Sequence, residues 1–258
     1  LPAERLARWL PQRGGTAIVA AAAGGALIPG CECGSVPVAR RLFGDGTLGA
    51  AALTFMLAAP AINPVVLAST AVAFPGQPEM VAARGGASLL TALTMGVLWS
   101  RLGRPEWVTR RLESAAAEHD SPRWVLFVEA ARHDFLQAAA YLTLGAASAA
   151  ALHVLVPPWV YAGLAGHAVL GILTMALLAF TLALCSEADA FVASSLTMVP
   201  LVPRLVFLVV GPVVDIKLVA MQVGMFGRPF AVRFAPVAFV VAMASATVVG
   251  GALLGGVH

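Results

Sequence analysis

The sequence predicts an all-α polytopic membrane protein made of two duplicated helical halves, with broken or re-entrant helices where the halves meet. Three observations predict it. Of 258 residues, 60% are hydrophobic and 11% charged, and the mean hydropathy is +0.88, well outside the range of soluble domains. Segments 14–30, 47–74, 84–100, 134–156, 159–184, 205–226 and 234–257 are mostly apolar, and reach or approach the length that crosses about 30 Å of hydrocarbon. Polar, proline-bearing interruptions recur inside these segments in one order: Cys31 stands opposite Cys185, and Pro60-Ala-Ile-Asn63 opposite Pro212-Val-Val-Asp215. Such paired interruptions point to a transporter site at a repeat interface.

Taken in order, the first helix stops near Ile28, because Pro29 lacks an amide proton and clashes with the preceding turn. Pro29 and Pro37 bracket the motif Pro29-Gly-Cys-Glu-Cys-Gly-Ser-Val-Pro37, and Gly30 and Gly34 permit tight turns within it. Segment 47–74 breaks near Pro60 and Pro64, leaving Asn63 to satisfy freed backbone groups or to contact a substrate. Segment 84–100 closes the first half, residues 1–100. Residues 101–123 form a hydrophilic linker, placed on the cytoplasmic side by Arg101, Arg104, Arg110, Arg111 and Arg123. The second half, 124–258, opens with an amphipathic interfacial helix over 122–133 and then repeats the pattern, with a second break at Pro212. Segment 134–156 has no counterpart ahead of Leu1, so the repeat calls for one more membrane helix before residue 1. Trp9, Trp99, Trp107, Trp124 and Trp159 lie near segment ends as interfacial anchors.

Composition also narrows the function. The net charge of +3 comes from arginines between apolar segments, with Lys217 the single lysine, a distribution that suits an anionic membrane face rather than nucleic acid. Three cysteines give no disulfide scaffold. No phosphate loop, dinucleotide fingerprint or zinc-protease signature is present, so neither an enzyme nor a cofactor is expected.

The interruptions carry the chemistry. Cys31, Cys33 and Cys185 suit a soft metal or a trivalent arsenic species held transiently by thiolates; as small hydrophobes they would instead fill helix contacts. Ser186 and Asn63 join them as substrate-binding candidates, and Ser35, Ser194 and Ser195 as residues along a path. Glu187, Asp189 and Glu32 are costly at membrane depth unless paired, protonated or hydrated. Glu187 is the first choice as proton carrier, Asp189 the second, while Glu32 is expected to face an aqueous entrance. Capping of the following helix is the competing role for Glu187 and Asp189. Asp215 and Lys217 are too close in sequence to pair across a helical turn, so each is expected to find a partner in the other repeat, or Lys217 to snorkel outward.

With these motifs, the chain resembles the YraQ-like predicted permease family, which includes the organoarsenical efflux permeases ArsP. Pro29–Pro37, Ala59–Pro64, Leu184–Ala193 and Gly211–Lys217 carry the resemblance, which covers almost the whole chain. It implies a multi-pass permease of the bacterial inner membrane with a duplicated domain. The resulting expectation is a secondary transporter exporting a thiol-reactive soft metal or organometalloid, such as a trivalent organoarsenical, against a proton gradient. The alternatives are a permease for a small organic anion or hydrophobic metabolite, and a non-transporting membrane scaffold. Its partners are membrane lipid and the small-molecule or metalloid substrate, with no nucleic acid; a homo-oligomer is compatible with this reading.

Overall fold

The computed structural model describes residues 14–28, 30, 32–43, 49–108 and 168–255, together with positions 124, 128, 132 and 136. The fold is all-helical over these residues. Helices α1 (Gly14–Leu27), α2 (Glu32–Leu42), α3 (Gly49–Ala61), α4 (Pro64–Ala73) and α5 (Pro78–Leu102) are followed by a 3-10 turn at Pro105–Trp107. After residue 167 come α6 (Ala168–Leu182), α7 (Ser186–Ser195), α8 (Leu201–Val210), α9 (Ile216–Phe226) and α10 (Arg228–Leu253). Among the described residues, three apolar stretches have membrane-crossing length: Gly49–Ala73, Pro78–Leu102 and Arg228–Leu253. The protein is a multi-pass membrane protein.

Each helix boundary has a local cause. Helix α1 ends at Leu27, as the proline after Ile28 requires. The long apolar run through 49–73 splits at Ile62–Asn63, with Pro64 supplying a ready-made first helical position for α4. Helix α5 starts earlier than expected, at Pro78, with Glu79 in its first turn and Arg101 in its last, matching both ends of the helix dipole. The second apolar run, expected as 205–226, is broken at 211–215 between α8 and α9. Between α6 and α7, Ala183 adopts a φ of 48°, a left-handed conformation that costs an L-residue about 1–2 kcal/mol.

Three expected breakers behave otherwise. Pro37 lies inside α2, and Gly34 is an exposed residue of that same helix. A buried helix tolerates an internal proline where its neighbours satisfy the freed backbone groups. Pro60 sits in the last turn of α3, two residues before the actual break. Trp99, expected at the interface, packs edge-on against Phe43 at 5.9 Å and Phe230 at 5.3 Å. Trp124, Val128, Arg132 and Leu136 are helical and exposed; the remainder of the expected interfacial helix, and segment 134–156 apart from Leu136, lie outside the described residues.

Helices α3 and α8 form the centre. Ala51 through Ala61 of α3 and Leu205 through Val210 of α8 are buried without interruption. Around them the packing follows one rule. Helix α1 packs on α3 as α6 packs on α8, α3 on α5 as α8 on α10, and α5 meets α10. Helix α2 reaches across to α9, while α7 reaches across to α4. Exchanging the first five helices for the second five leaves these pairings unchanged. The crossed pairs bring the starts of short helices into the interior.

Candidate functional site

Helices α2 and α7 start at the polar residues Glu32 and Ser186, and α4 and α9 are capped by Asn63 and Asp215. The first amides of a helix have no intrahelical acceptor, so each start presents N–H donors and positive potential. Asn63 caps α4, its side-chain oxygen accepting from Val66 N at 2.9 Å while Nδ2 donates to the Ala59 carbonyl at 2.7 Å. The same Nδ2 reaches the Gly30 carbonyl at 3.4 Å, tying this cap to the chain entering α2. Asp215 caps α9 in the same way, with Oδ1 accepting from Leu218 N. Asn63 and Asp215, aligned on sequence alone, thus do the same local job.

Glu32 opens α2 and is only 1% exposed. Its Oε1 accepts from the Ser186 hydroxyl at 2.6 Å, and its Oε2 from Lys217 Nζ at 3.0 Å. Ser186 is the first residue of α7 and Lys217 the second of α9, so one carboxylate joins three helix starts. Lys217 Nζ also lies 3.9 Å from Asp215 Oδ2. Arg84 of α5, fully buried, donates from Nη1 to Thr70 Oγ1 at 2.7 Å and from Nη2 to the Ser186 carbonyl at 2.8 Å. It therefore braces α4 against α7.

Electrostatically the node is rich in carboxylate. Glu32, Asp189 and Asp215 are buried, and Glu187 is half-buried, against the two cations Lys217 and Arg84. Asp189 Oδ2, Asp215 Oδ2 and Arg84 Nε have no hydrogen-bond partner among the described residues. Asp189 Oδ2 packs where a Cβ on Gly211 would stand, so the glycine at the end of α8 lets the unwound chain close on this carboxylate.

Among the sequence candidates, Glu32, Ser186 and Lys217 are brought into direct contact, with Asp215 alongside. The expectation that Glu32 faces an aqueous entrance is corrected: α7 and α9 cover it. Lys217 pairs with Glu32 of α2, well inside the fold, and does not snorkel outward. It also comes within ion-pair range of Asp215, which sequence spacing argued against, because Asp215 is an extended cap (φ −141°) outside the helix. Asp189 is buried and Glu187 half-buried in the first turn of α7; neither forms an ion pair within the described residues.

Cys185 is the half-buried N-cap of α7, directly before Ser186. Cys31, Pro29 and the side chain of Cys33 lie outside the described residues, so the expected three-thiol set is not addressed; among the described residues no three His, Cys, Asp or Glu side chains form a metal-holding group. Pro212 lies within the 211–215 break and Pro64 begins α4. Ser35 bonds the Glu32 and Met56 carbonyls, at 3.0 and 3.2 Å. Ser194 and Ser195 bond back to their own helix. Arg84 and Thr70 were missed. The signal for Arg84 was Pro78-Glu79, a helix start that places the arginine well inside the span instead of at its edge.

Comparison with known proteins places this arrangement. The predicted-permease family ArsP_1 matches residues 1–251. The chain is 35% identical over 256 residues to UPF0718 protein YcgR of Bacillus subtilis, covering 96% of this chain and 86% of that one. It is 32% identical over 217 residues to a Streptococcus mutans protein named as a two-component membrane permease complex subunit, covering 81% and 72% of the two chains. No solved structure matches the chain.

Proposed function

The chain belongs to the predicted-permease family and is a membrane permease; we propose that it is a secondary transporter of the bacterial inner membrane, exporting a thiol-reactive soft metal or organometalloid in exchange for protons. The observation that carries this is the buried 2.6 Å bond from Ser186 Oγ to Glu32 Oε1. It joins the two cysteine-bearing motifs, because Cys31 and Cys33 flank Glu32 in sequence and Cys185 precedes Ser186. Soft sulfur donors in this place suit a trivalent organoarsenical, monovalent copper or zinc. A cargo held briefly by them is released more readily than one locked in a closed structural site.

The two halves, 1–100 and 124–258, are read as a duplication whose members exchange access to the node. The matched helix order and the crossed α2–α9 and α7–α4 contacts support this. An organic-anion cargo is disfavoured by four carboxylates set against two cations among the described residues. The Streptococcus mutans relative's name supports a second reading of the assembly, in which a separate subunit completes the transporter.

The test is flux in vesicles reconstituted with the full chain, using a trivalent phenylarsenical, Cu(I) and Zn(II) separately under an imposed pH gradient. One cargo is expected to give saturable, gradient-dependent flux. The triple variant Cys31→Ser, Cys33→Ser, Cys185→Ser is expected to reduce it at least about tenfold, the loss of about 1.4 kcal/mol of binding. Flux undiminished in that variant rejects the thiol mechanism.

A further inference from the structure

We propose that the two halves are inserted in opposite senses, so that α1–α2 is a hairpin dipping in from the cytoplasmic face and α6–α7 one dipping in from the outer face. Their tips meet at the bond from Ser186 to Glu32. This rests on reading the halves as a duplication and specifies how they are set in the membrane. Helices α5 and α10 are matched: each has a proline in its first turn, Pro78 and Pro229, and each has membrane-crossing length. They lie antiparallel. Trp99, near the end of α5, packs on Phe230 at the start of α10, with ring centroids 5.3 Å apart. A Cβ on Gly86, early in α5, would stand 3.8 Å from Val249, near the end of α10. In a parallel repeat, matched helices run the same way; in an inverted one they oppose.

Contacts at each end place the remaining helices. At one end, Arg40 of α2 donates from Nε to the Met225 carbonyl of α9 at 2.8 Å, and Phe43 packs edge-on against Phe226 at 5.3 Å. A Cβ on Gly49, where α3 starts, would stand 2.8 Å from the same Phe43 ring. Helix α1 starts here too and runs beside α3. A Cβ on Gly96 of α5 would touch Thr54 of α3 and stand 3.2 Å from Ile18 of α1, while farther in, Gly25 of α1 packs on Ala58 of α3. Helix α1 therefore runs inward and α2 runs back. At the opposite end, a Cβ on Gly250 of α10 would stand 3.0 Å from Leu205 and 3.4 Å from Val202, near the start of α8. Helix α7 begins beside Gly211, where α8 ends, and finishes at Ser195, a short turn before α8 begins at Leu201. Helix α7 thus runs outward, and α6 joins its start through Ala183, whose φ of 48° breaks the helical path.

Charge identifies the faces. Among the described residues, the first end carries Arg40, Arg101, Arg104, Arg228 and Arg233 against Glu106, and the second carries Arg204 against Glu79. An excess of arginine marks the cytoplasmic side. The consequence is two separate approaches to one node. From the 3.0 Å contact of Lys217 with Glu32, the seam between α2 and α9 leads to Arg40 and Met225 at the cytoplasmic end. From Ser186, the seam between α7 and α4 leads to the outer end, where α4 finishes a short turn before α5 begins at Pro78. Each hairpin is the gate of its own face, and a cargo crossing the membrane has to pass between the two tips.

Labelling of the full chain by an impermeant maleimide, in inside-out and right-side-out membrane vesicles, tests this with no cargo present. Single cysteines are placed in a Cys31→Ser, Cys33→Ser, Cys185→Ser background at exposed positions: Gly15→Cys and Arg104→Cys at the first end, Gln77→Cys and Thr197→Cys at the second. Gly15→Cys and Arg104→Cys are expected to label in inside-out vesicles and to lose that labelling in right-side-out ones. Gln77→Cys and Thr197→Cys are expected to do the reverse. A protease site inserted between Thr197 and Met198 of the otherwise unaltered chain covers the case that the cysteine-free background fails to fold, with cleavage expected from the outer face alone. Labelling or cleavage at Thr197 from the cytoplasmic face, labelling of Gly15→Cys from the outer face, or a Thr197 turn reached from neither face each overturn the proposal. Gly15→Cys and Thr197→Cys labelled from one and the same face overturn it while leaving a parallel duplication. Absence of flux for every cargo, with the sidedness as described, overturns the cargo reading alone.

Discussion

Replacing Thr70 by valine should destabilise the protein more than replacing Arg84 itself by methionine. The reasoning is an asymmetry between losing a donor and stranding one. Thr70 Oγ1 accepts from Arg84 Nη1 at 2.7 Å while its own proton goes to the Val66 carbonyl at 2.7 Å. Thr70→Val preserves shape but leaves a second guanidinium nitrogen unpartnered, beside Nε, in a fully buried side chain. An orphaned buried group costs about 1–3 kcal/mol, and more when charged, so roughly 3 kcal/mol is expected. Arg84→Met also loses the bond to Ser186, with charge-assisted bonds worth about 1.5–3 kcal/mol each. Yet it removes a buried charge whose desolvation costs several kcal/mol, so the net effect is within about 1 kcal/mol of zero. Equilibrium unfolding of the detergent-solubilised protein by a denaturing detergent measures both. The double variant should fall back to the level of Arg84→Met, since the stranded charge is then gone. A near-neutral Thr70→Val beside an Arg84→Met costing 3 kcal/mol or more would refute the argument.

Two further outcomes follow from the packing and the caps. Gly25→Ala should destabilise by about 1–3 kcal/mol, because the added Cβ would stand 2.9 Å from both the Ala58 Cβ and the Ala59 nitrogen. Its neighbour Gly24 meets nothing within 4 Å, so Gly24→Ala should be neutral or stabilising by up to about 1 kcal/mol through helix propensity; the same unfolding measurement distinguishes them. Asn63→Ala should cost about 1–2 kcal/mol as a lost cap, and Asn63→Asp should recover only part of that, since it restores the acceptor for Val66 N but not the donors to Ala59 and Gly30. Asp215→Asn, which retains an acceptor for Leu218 N, should leave stability within about 0.5 kcal/mol by thermal unfolding.

Much of the interior was legible because its signals are local. Asn63 followed by Pro64 is a cap followed by the one residue suited to the first helical position, and Asp215 repeats the capping half of that signal. Lys217 was legible as a residue needing a partner from elsewhere, since a lone lysine in an apolar run must find one. Glu32 was misplaced because nothing in its own motif reveals that α7 and α9 cover it; that is a long-range fact. Pro37 misled because local proline rules assume solvent will take up the freed carbonyl. Here α2 carries on through Pro37, packed against α3 and α9. Arg84 was read as the edge of an apolar window when its helix begins at Pro78, more than a turn earlier. Window averages hide the one charge whose burial makes it informative.

A surplus of carboxylate in the interior looks prohibitive until the helix starts are considered. Asp215 is stabilised by an amide at the head of α9, and Asp189 and Glu187 occupy the first turn of α7. Glu32 opens α2. In these positions the partial positive charge of each helix end supplies stabilisation that a full cation would otherwise have to provide. Two cations therefore suffice where a count of charges asks for more. That stabilisation is fixed in the backbone, and Lys217 adds to it from between Glu32 Oε2 at 3.0 Å and Asp215 Oδ2 at 3.9 Å. Three helix ends and one shared ammonium thus hold the four carboxylates in place.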